Sequence, residues 1–307
     1  MAVMRTESGW TGVPGCGRSS SDERGVALII VLLVTALLIA LVFEFAYATR
    51  ISLRAAVNYR DSERAYYLAR SGVNVAGRYL AYNLKTDATG SNHKYERLEQ
   101  KEWQPVPFQA GTDASVVVRW DDESAKIRIT DVQVNRIRQN MLRSLFEVQK
   151  GIDTTVLDRM MENTSTVSRL KLLTGLHQYM TDEDYKKVFR LLTVVPVINT
   201  VNINTASEDV LMSMGISSSA ASLIINDRQK APITDLTNYA PLSNVMIEGS
   251  KVTNFMTDSS DIFTVYSSAT VGGYEKTVQA VIQRNAGGTF TVLNNYYWTV
   301  LDPGSVL

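Results

Sequence analysis

The sequence predicts an α+β fold in which a large helical domain is inserted into a small antiparallel sheet. Three observations predict it: a long N-terminal stretch without proline, β-rich segments near residues 115–130 and again after residue 262, and helical spacing between them. Because strands from distant segments can pair while an insertion packs as its own unit, we expect a single sheet interrupted by an all-α domain.

The N-terminal stretch begins with a long apolar run. Residues 26–43 carry no charge, and Thr35 is the only polar side chain among them. At about 1.5 Å per residue the run spans ~27 Å, close to the roughly 30 Å thickness of the hydrocarbon layer. A core helix of this length would show a polar face, so the run predicts a membrane-spanning helix.

The segment that follows the apolar run predicts an amphipathic continuation of the same helix. No proline occurs from Val26 to about Leu84, and apolar residues recur among charged ones. Gly72 and Gly77 argue against an uninterrupted helix. Residues 83–92 are polar, so we expect the helix to end there.

The apolar run could also be a cleaved signal peptide or a plain signal anchor, in addition to the pilin-like interpretation that follows from its flanking residues. The sequence Ala46-Tyr47-Ala48 offers a signal-peptidase site, but the run is longer than the usual apolar region of a signal peptide, which has about 7 to 15 residues. A plain signal anchor is oriented by flanking cations. Arg18 and Arg24 precede the run, whereas four arginines follow it, which does not favour an N-terminus inside the cell: Arg50, Arg54, Arg60 and Arg64.

The soluble part alternates between strand and helix patterns. Residues 115–120 and 125–130 flank the polar stretch 121–124 and predict a β-hairpin. Helical spacing covers residues 136–192 and 207–239. Strand patterns return at 262–266, 277–282 and 289–293.

A motif within the helical block resembles a helix-hairpin-helix unit. Its residues are Asn202, Asn204, Thr205, Gly215, Ala221 and Arg228. Such units often point backbone N–H groups at nucleic-acid phosphate. Here Ser217 replaces the second glycine of the hairpin, and residues 199–240 contain more acidic than basic side chains, so no nucleic-acid partner is expected. Thr205 or Ser207 is expected to cap the first helix.

Composition and motifs exclude several function classes. The chain has 31 basic and 31 acidic side chains, so no global field steers it to a polyanion. The single cysteine, Cys16, precedes the apolar run, which excludes disulfides from any product that starts at Val26. No phosphate loop, zinc helix or nucleophile elbow is present, and His93 and His177 are isolated. The sequence therefore predicts a protein that is not an enzyme.

The combination of motifs supports a resemblance to a known family. Arg24-Gly25-Val26 before an apolar run resembles the processing site of type IV pilin-like proteins, and with the motif at 202–228 the chain resembles the type II secretion minor pseudopilin K family. The matching residues of that motif are Asn202, Asn204, Thr205, Ala206, Leu211, Ala221 and Arg228. The order of the last three strand patterns is similar as well.

The resemblance implies a domain organisation and a processing step. Residues 1–25 would be a leader that the prepilin peptidase removes after Gly25, and the resemblance also implies N-methylation of the exposed Val26. Residues 26–84 would form the membrane and stem helix of pilin type, 94–131 with 258–300 the sheet, and 132–257 the inserted domain. Ile30 becomes the fifth residue, where most pilin-like subunits have glutamate. A subunit without that glutamate can be the first of a filament.

The resemblance also implies a location and partners. It places the chain in the inner membrane with a single pass and a periplasmic C-terminal domain, at the tip of a pseudopilus. The implied partners are minor pseudopilins I and J, major pseudopilin G, the prepilin peptidase and the inner-membrane secretion platform. Two alternatives stay open: a minor type IV pilus subunit, and a membrane-anchored helix-hairpin-helix protein that binds DNA.

Calcium is the one cofactor that the resemblance suggests, since some members of the family bind it. Carboxylates in two segments could supply oxygen ligands: Asp121, Asp122 and Glu123 in the polar stretch, and Asp258 and Asp261 before the late strands. Their spacing is not that of an EF-hand loop. The alternative is that these are solvated turn carboxylates.

Overall fold

The computed structural model describes residues 20–87, 103–106, 112–130, 135–163, 170, 173–285, 287–293 and 299–301. Most of the expected leader, with Cys16, lies outside the described residues, as does His93. The chain divides into two compact units, Met1–Tyr59 and Arg60–Leu307. The first unit therefore holds the apolar run, and the second holds the sheet together with the inserted domain.

The elements follow in chain order. The helices are α1 (Ser20–Asp87), α2 (Arg136–Arg143), α3 (Thr154–Glu162), α4 (Asp182–Val188), α5 (Glu208–Ser213) and α6 (Ser218–Lys230). The strands are β1 (Gln104–Pro105), β2 (Ala114–Asp122), β3 (Ile127–Arg128), β4 (Leu192–Thr193), β5 (Val201–Asn202), β6 (Met246–Ile247), β7 (Ser250–Lys251), β8 (Met256–Thr257), β9 (Ile262–Val271), β10 (Tyr274–Asn285), β11 (Thr289–Val292) and β12 (Thr299–Leu301). A π-helical turn, Ser144–Gln149, continues α2.

Helix α1 runs without interruption through both glycines that argued against its continuity. In the first unit every side chain from Gly25 onward is exposed, including the large apolar ones. Within the described residues α1 is the one helix that is long and apolar enough to cross a membrane. The uncharged run at residues 26–43 of α1 is thus exposed along its length, as expected of a membrane-spanning helix.

The two glycines have a packing role in the second unit. A Cβ atom at Gly72 would lie 2.2 Å from Ser267 Oγ and 2.9 Å from Val116 Cγ1, and one at Gly77 would lie 2.7 Å from the Phe290 ring. The missing side chains therefore let α1 approach the sheet closely. The sequence pattern indicated a weak point in the helix, whereas the structure uses both positions for contact.

The main sheet has the order β1-β2-β9-β10-β11, with β12 also paired to β10, and its pairs are antiparallel. This confirms the α+β class and the strands predicted at 262–266, 277–282 and 289–293, the first two of which extend further. One hydrophobic cluster joins α1 to the sheet and includes Val73, Leu80, Val118, Phe263 and Ala280.

The predicted hairpin between residues 115–120 and 125–130 is wrong. β2 pairs with β9, so that Asp122 lies opposite Phe263, and β3 forms a parallel pair with β4. The intervening Glu123–Ala125 is a single 3-10 turn whose Glu123 and Ser124 are buried. The polar residues there looked like a solvated turn, but they lie inside the protein at the point where the chain leaves the sheet.

Between β2 and β9 the inserted domain has a hydrophobic core of its own, which begins at Ile127 and ends at Met256. It is mainly helical and also contains three two-stranded ladders that the sequence did not predict: β3 with β4, β5 with β8, and β6 with β7. The predicted second helical stretch divides into α5 and α6. Beyond Lys230 the helical prediction is wrong, because residues 231–239 are irregular apart from a turn at 236–238.

Candidate functional site

Buried polar side chains gather where the inserted domain joins the sheet. We call this group the junction cluster. Its members are Asp122, Glu123, Lys126, Thr193, Asn202, Asn204, Thr205, Ser260 and Thr264, all of them buried. β2 and the turn after it supply the charged groups, whereas the inserted domain and the residues leading into β9 supply most of the hydrogen-bond partners. The cluster therefore connects two hydrophobic cores through polar contacts.

Asp122 is the acceptor at the centre of the junction cluster. Its Oδ2 accepts hydrogen bonds from Thr205 Oγ1 and Ser260 Oγ, both at 2.5 Å, and its Oδ1 accepts one from Ser124 N at 2.8 Å. Burial raises the pKa of Asp122 above its usual range, and the bonds from Ser260 and Thr205 oppose that shift. One carboxylate thus holds the sheet, the inserted domain and the chain before β9 together.

Glu123 forms the second half of the cluster. Its Oε1 accepts from Lys126 Nζ at 2.5 Å and from Thr264 Oγ1 at 2.7 Å, while its Oε2 accepts from Thr193 Oγ1 at 2.5 Å. Burial would lower the pKa of Lys126, but Glu123, with a smaller effect from Asp121, raises it above its usual value. The buried ion pair is thereby compensated by hydroxyl donors from β4 and β9.

The two asparagines of the sequence motif hold neighbouring segments together through hydrogen bonds to backbone groups and to Ser260. Asn202 Oδ1 accepts from Asn204 N at 2.9 Å, and Asn202 Nδ2 donates to Ser260 Oγ at 2.6 Å. Asn204 donates through Nδ2 to Ile233 O and Asp258 O, and its Oδ1 accepts from Ile233 N. Asn204 therefore binds the turn after α6 to the segment before β9.

Replacing Asn204 with alanine should lower the free energy of unfolding by about 2–4 kcal/mol, because the buried N–H and carbonyl of Ile233 and the partly buried carbonyl of Asp258 lose their partner. Chemical denaturation of the soluble fragment measures the loss, and amide hydrogen exchange should show increased exchange at Ile233. The matched control is Asn199→Ala, since Asn199 is exposed and lies only five residues earlier. Equal stability of the two variants would contradict the assigned role of Asn204.

The helix-hairpin-helix-like motif consists of two helices joined by a turn, as the sequence predicted, but most of its motif side chains are buried. Ser207 caps α5, Gly215 adopts a φ of +80° in the turn, and Ser217 caps α6. Ala221 is fully buried. Arg228 donates through Nη1 to Ile203 O at 2.8 Å and to Ala206 O at 2.7 Å. Burial lowers the pKa of this guanidinium to about 10. Through its two hydrogen bonds, Arg228 connects α6 to the loop that precedes α5.

The basic side chains of this motif are engaged within the chain. Arg228 is directed at backbone carbonyls, and Lys230 pairs with Asp227 at 3.2 Å. Asp209 in the first turn of α5 pairs with Lys150 at 2.5 Å. Since the basic groups of the motif are used within the chain, its geometry supports a structural role for the motif.

The carboxylates considered for calcium do not come together as a ligand set. Asp122 and Glu123 are used by protein donors, and the side chain of Asp261 is 62% exposed beside Arg284, 3.9 Å away. Asp258 enters the site through its backbone carbonyl. Across the described part of the chain, no group of three or more His, Cys, Asp or Glu side chains is placed to hold a metal ion. Calcium binding by Asp121 and its neighbours stays a prediction from the resemblance alone.

Sequence reasoning missed several partners in the junction. Three of these partners contribute hydroxyl groups but look like ordinary strand or loop residues in the sequence: Ser260, Thr193 and Thr264. Arg284 was also missed: it is fully buried in β10, its Nε donates to Ser260 O at 2.8 Å, and its Cζ lies 5.0 Å from the centre of the Phe263 ring. An arginine at an inward position of a strand was the available signal, since that position should hold an apolar side chain.

The residues of the expected processing region lie on α1. Gly25, Val26 and Ile30 fall in the first unit, and Val26 and Ile30 are more than half exposed. The apolar helix that starts here, and its continuation packed on an antiparallel sheet in the second unit, define the class of pilin-type subunits. To this architecture the chain adds the inserted domain between β2 and β9.

Comparison with known proteins shows which pilin-type subunits this chain is similar to. No family model matches the chain. The type II secretion system protein K of Pseudomonas aeruginosa strain PAO1 is 21% identical over 312 aligned positions, which cover 88% of this chain and 92% of that protein. A chain in the crystal structure of the GspK-GspI-GspJ complex from the enterotoxigenic Escherichia coli type 2 secretion system shares the fold. Its TM-score is 0.60 at 16% identity, over 82% of this chain and 99% of that chain. Over most of its length the chain is therefore similar to protein K of the type II secretion system, and it shares the fold of the chain in that complex.

Proposed function

We propose that the chain is a nonenzymatic structural subunit at the tip of a periplasmic pseudopilus, where it helps to initiate or cap assembly. The observation that carries the tip position is Ile30, an exposed apolar residue in the uncharged run 26–43, at the position where pilin-like subunits usually present a carboxylate. A carboxylate in hydrocarbon is costly unless it meets a cation such as a neighbour's terminal amine. A subunit without it needs no neighbour above.

The inserted domain supports the same position. It leaves the sheet at Asp122 and returns at Ile262, and the junction cluster holds it there through buried hydrogen bonds. A rigidly held domain can block the addition of a further subunit. Pseudopilins I and J, named in the related Escherichia coli complex, are the proposed direct neighbours. Major pseudopilin G, the prepilin peptidase and the inner-membrane secretion platform complete the proposed partner set.

The location follows from the same proposal. The apolar half of α1 is a single membrane anchor before extraction, and the sheet with its inserted domain lies in the periplasm of a cell whose inner membrane holds the anchor. Purification of the full-length chain from detergent-solubilised membranes tests the proposal. Recovery of pseudopilins I and J supports it, whereas recovery of type IV pilus subunits in their place would reassign the chain to a surface pilus.

Processing gives a direct prediction. In cells with the prepilin peptidase the mature chain should begin at Val26, and in cells without it the leader should remain attached. Mass spectrometry of N-terminal peptides distinguishes the two. A mature start at Thr49 would indicate an ordinary signal peptidase, and an uncut leader in both strains would indicate a plain anchor.

A further inference from the structure

Two exposed arginines lie on one side of α1 just beyond the apolar run. Arg50 and Arg54 are one helical turn apart, and both are exposed. Among the residues that the structure describes, neither has an ion-pair or hydrogen-bond partner. The next two arginines differ, since Arg60 pairs with Asp61 at 2.8 Å and Arg64 with Asp113 at 2.9 Å. The uncompensated positive charge on this part of the helix is thus confined to Arg50 and Arg54.

These arginines continue a stripe that begins in the apolar run. At 3.6 residues per turn, Phe43, Tyr47, Arg50 and Arg54 lie on one side of the helix. Phe43 is 70% exposed and Tyr47 is 68% exposed. With Phe43 at the edge of the hydrocarbon layer, a rise of about 1.5 Å per residue puts Arg50 roughly 10 Å further along the axis, at the depth of lipid headgroups.

The order of side chains along the stripe matches the layers of a membrane surface. Aromatic rings such as that of Tyr47 favour the boundary between acyl chains and headgroups. Guanidinium groups bind phosphate oxygens through two parallel hydrogen bonds, and their long stems reach to the headgroup level. A negative surface potential strengthens that contact.

We propose that Arg50 and Arg54 form a binding site for the phosphate groups of anionic phospholipids. The stripe is continuous with the membrane-spanning surface, so lipid headgroups are its immediate neighbours before assembly. A carboxylate of another subunit is the competing occupant, but it is available only after extraction from the membrane. This inference depends on the membrane helix and not on the tip position.

The test uses the full-length chain in vesicles that contain equal amounts of phosphatidylglycerol and phosphatidylcholine. The reporter is Phe43→Trp, and fluorescence of the parent chain without the reporter is subtracted. Bromine atoms near the top of the acyl chains of one lipid or the other quench the reporter. We expect phosphatidylglycerol to be preferred beside the reporter, with each arginine contributing up to about fivefold, and the preference to fall as salt is raised.

Matched variants decide the outcome. Arg50→Gln with Arg54→Gln should remove the preference, whereas Arg136→Gln with Arg159→Gln, which removes the same charge from helices of the inserted domain, should leave it unchanged. Circular dichroism checks that each variant keeps its helix content. Equal quenching by the two lipids in the unsubstituted background would overturn the proposal. So would a double Arg50/Arg54 variant that keeps the preference but no longer recovers its neighbouring pseudopilins, because the arginines would then serve a subunit contact.

Discussion

Replacing Asp122 with alanine should lower the free energy of unfolding by about 3 kcal/mol or more, as measured by urea denaturation of the soluble fragment. The carboxylate accepts from Thr205 Oγ1, Ser260 Oγ and Ser124 N. Alanine leaves these donors buried and unpaired. The loss should be cooperative, since the donors come from the inserted domain, from the segment before β9 and from the turn after β2 together.

Asp121 provides the control for that measurement. It precedes Asp122 on β2, is less buried, and has no hydrogen-bond partner among the described residues, so Asp121→Ala should change stability by only about 0.5 kcal/mol. A similar loss in both variants would show that charge on the strand, and not the junction cluster, determines the effect.

The pH dependence of the Asp122 effect has a definite sign. Burial raises the pKa of Asp122 above its usual value of 3.8, so folding favours the protonated form relative to the unfolded chain. The stability of the native chain relative to Asp122→Asn should therefore be greatest below pH 3.8 and should fall as the pH rises through the folded pKa. Paired denaturation curves over this range measure the difference.

Gly72→Val should be the most damaging single substitution in the stem, with an expected loss of about 3–5 kcal/mol. A Cβ there would lie 2.9 Å from Val116 Cγ1 and 3.2 Å from Val118 Cγ1, in addition to the contact with Ser267 Oγ. The helix must move away from the sheet, which opens the core around Val73 and Leu80. Thermal or urea unfolding of the soluble fragment measures the loss.

A smaller substitution at the same position, combined with a change of Ser267, tests the contact between Gly72 and Ser267 by itself. Gly72→Ala gains about 1 kcal/mol of helix propensity but meets Ser267 Oγ at 2.2 Å. Because Ser267 Oγ is buried and has no hydrogen-bond partner among the described residues, Ser267→Ala should cost little by itself. Combined with Gly72→Ala it should recover part of the loss. Ser71→Ala, on the exposed side of the same turn, is the control and should be close to neutral.

Local patterns were enough for much of this fold. The uncharged run after Gly25 predicted the exposed apolar helix, and alternation at residues 262–266 and 277–282 predicted the two central strands. The interruption of the sheet by helices predicted the insertion. These features depend on neighbours within a few residues, which a single sequence displays.

The pairing partners could not be obtained in that way. Residues 115–120 and 125–130 are close in sequence and suit a hairpin, yet β2 pairs with a strand that begins at Ile262. The decisive information is the burial of Asp122 and Glu123, which depends on hydroxyl groups far along the chain at Thr193, Ser260 and Thr264. Polar residues before a strand look solvated until their partners are known. Likewise, Gly72 indicates a helix breaker until the opposing sheet is known.

The register of β2 and β9 has a mechanical consequence. Asp122 and Phe263 are paired across neighbouring strands, so the two ends of the inserted domain leave the sheet about 5 Å apart. A force applied to the inserted domain would therefore reach the sheet through the two chain segments that meet at Asp122 and Phe263. The bonds of Asp122 and Glu123 lie directly beside these segments, and would carry the load before any hydrogen bond of the central strands is strained. The same proximity means that a short turn could replace the whole domain and leave the strands connected.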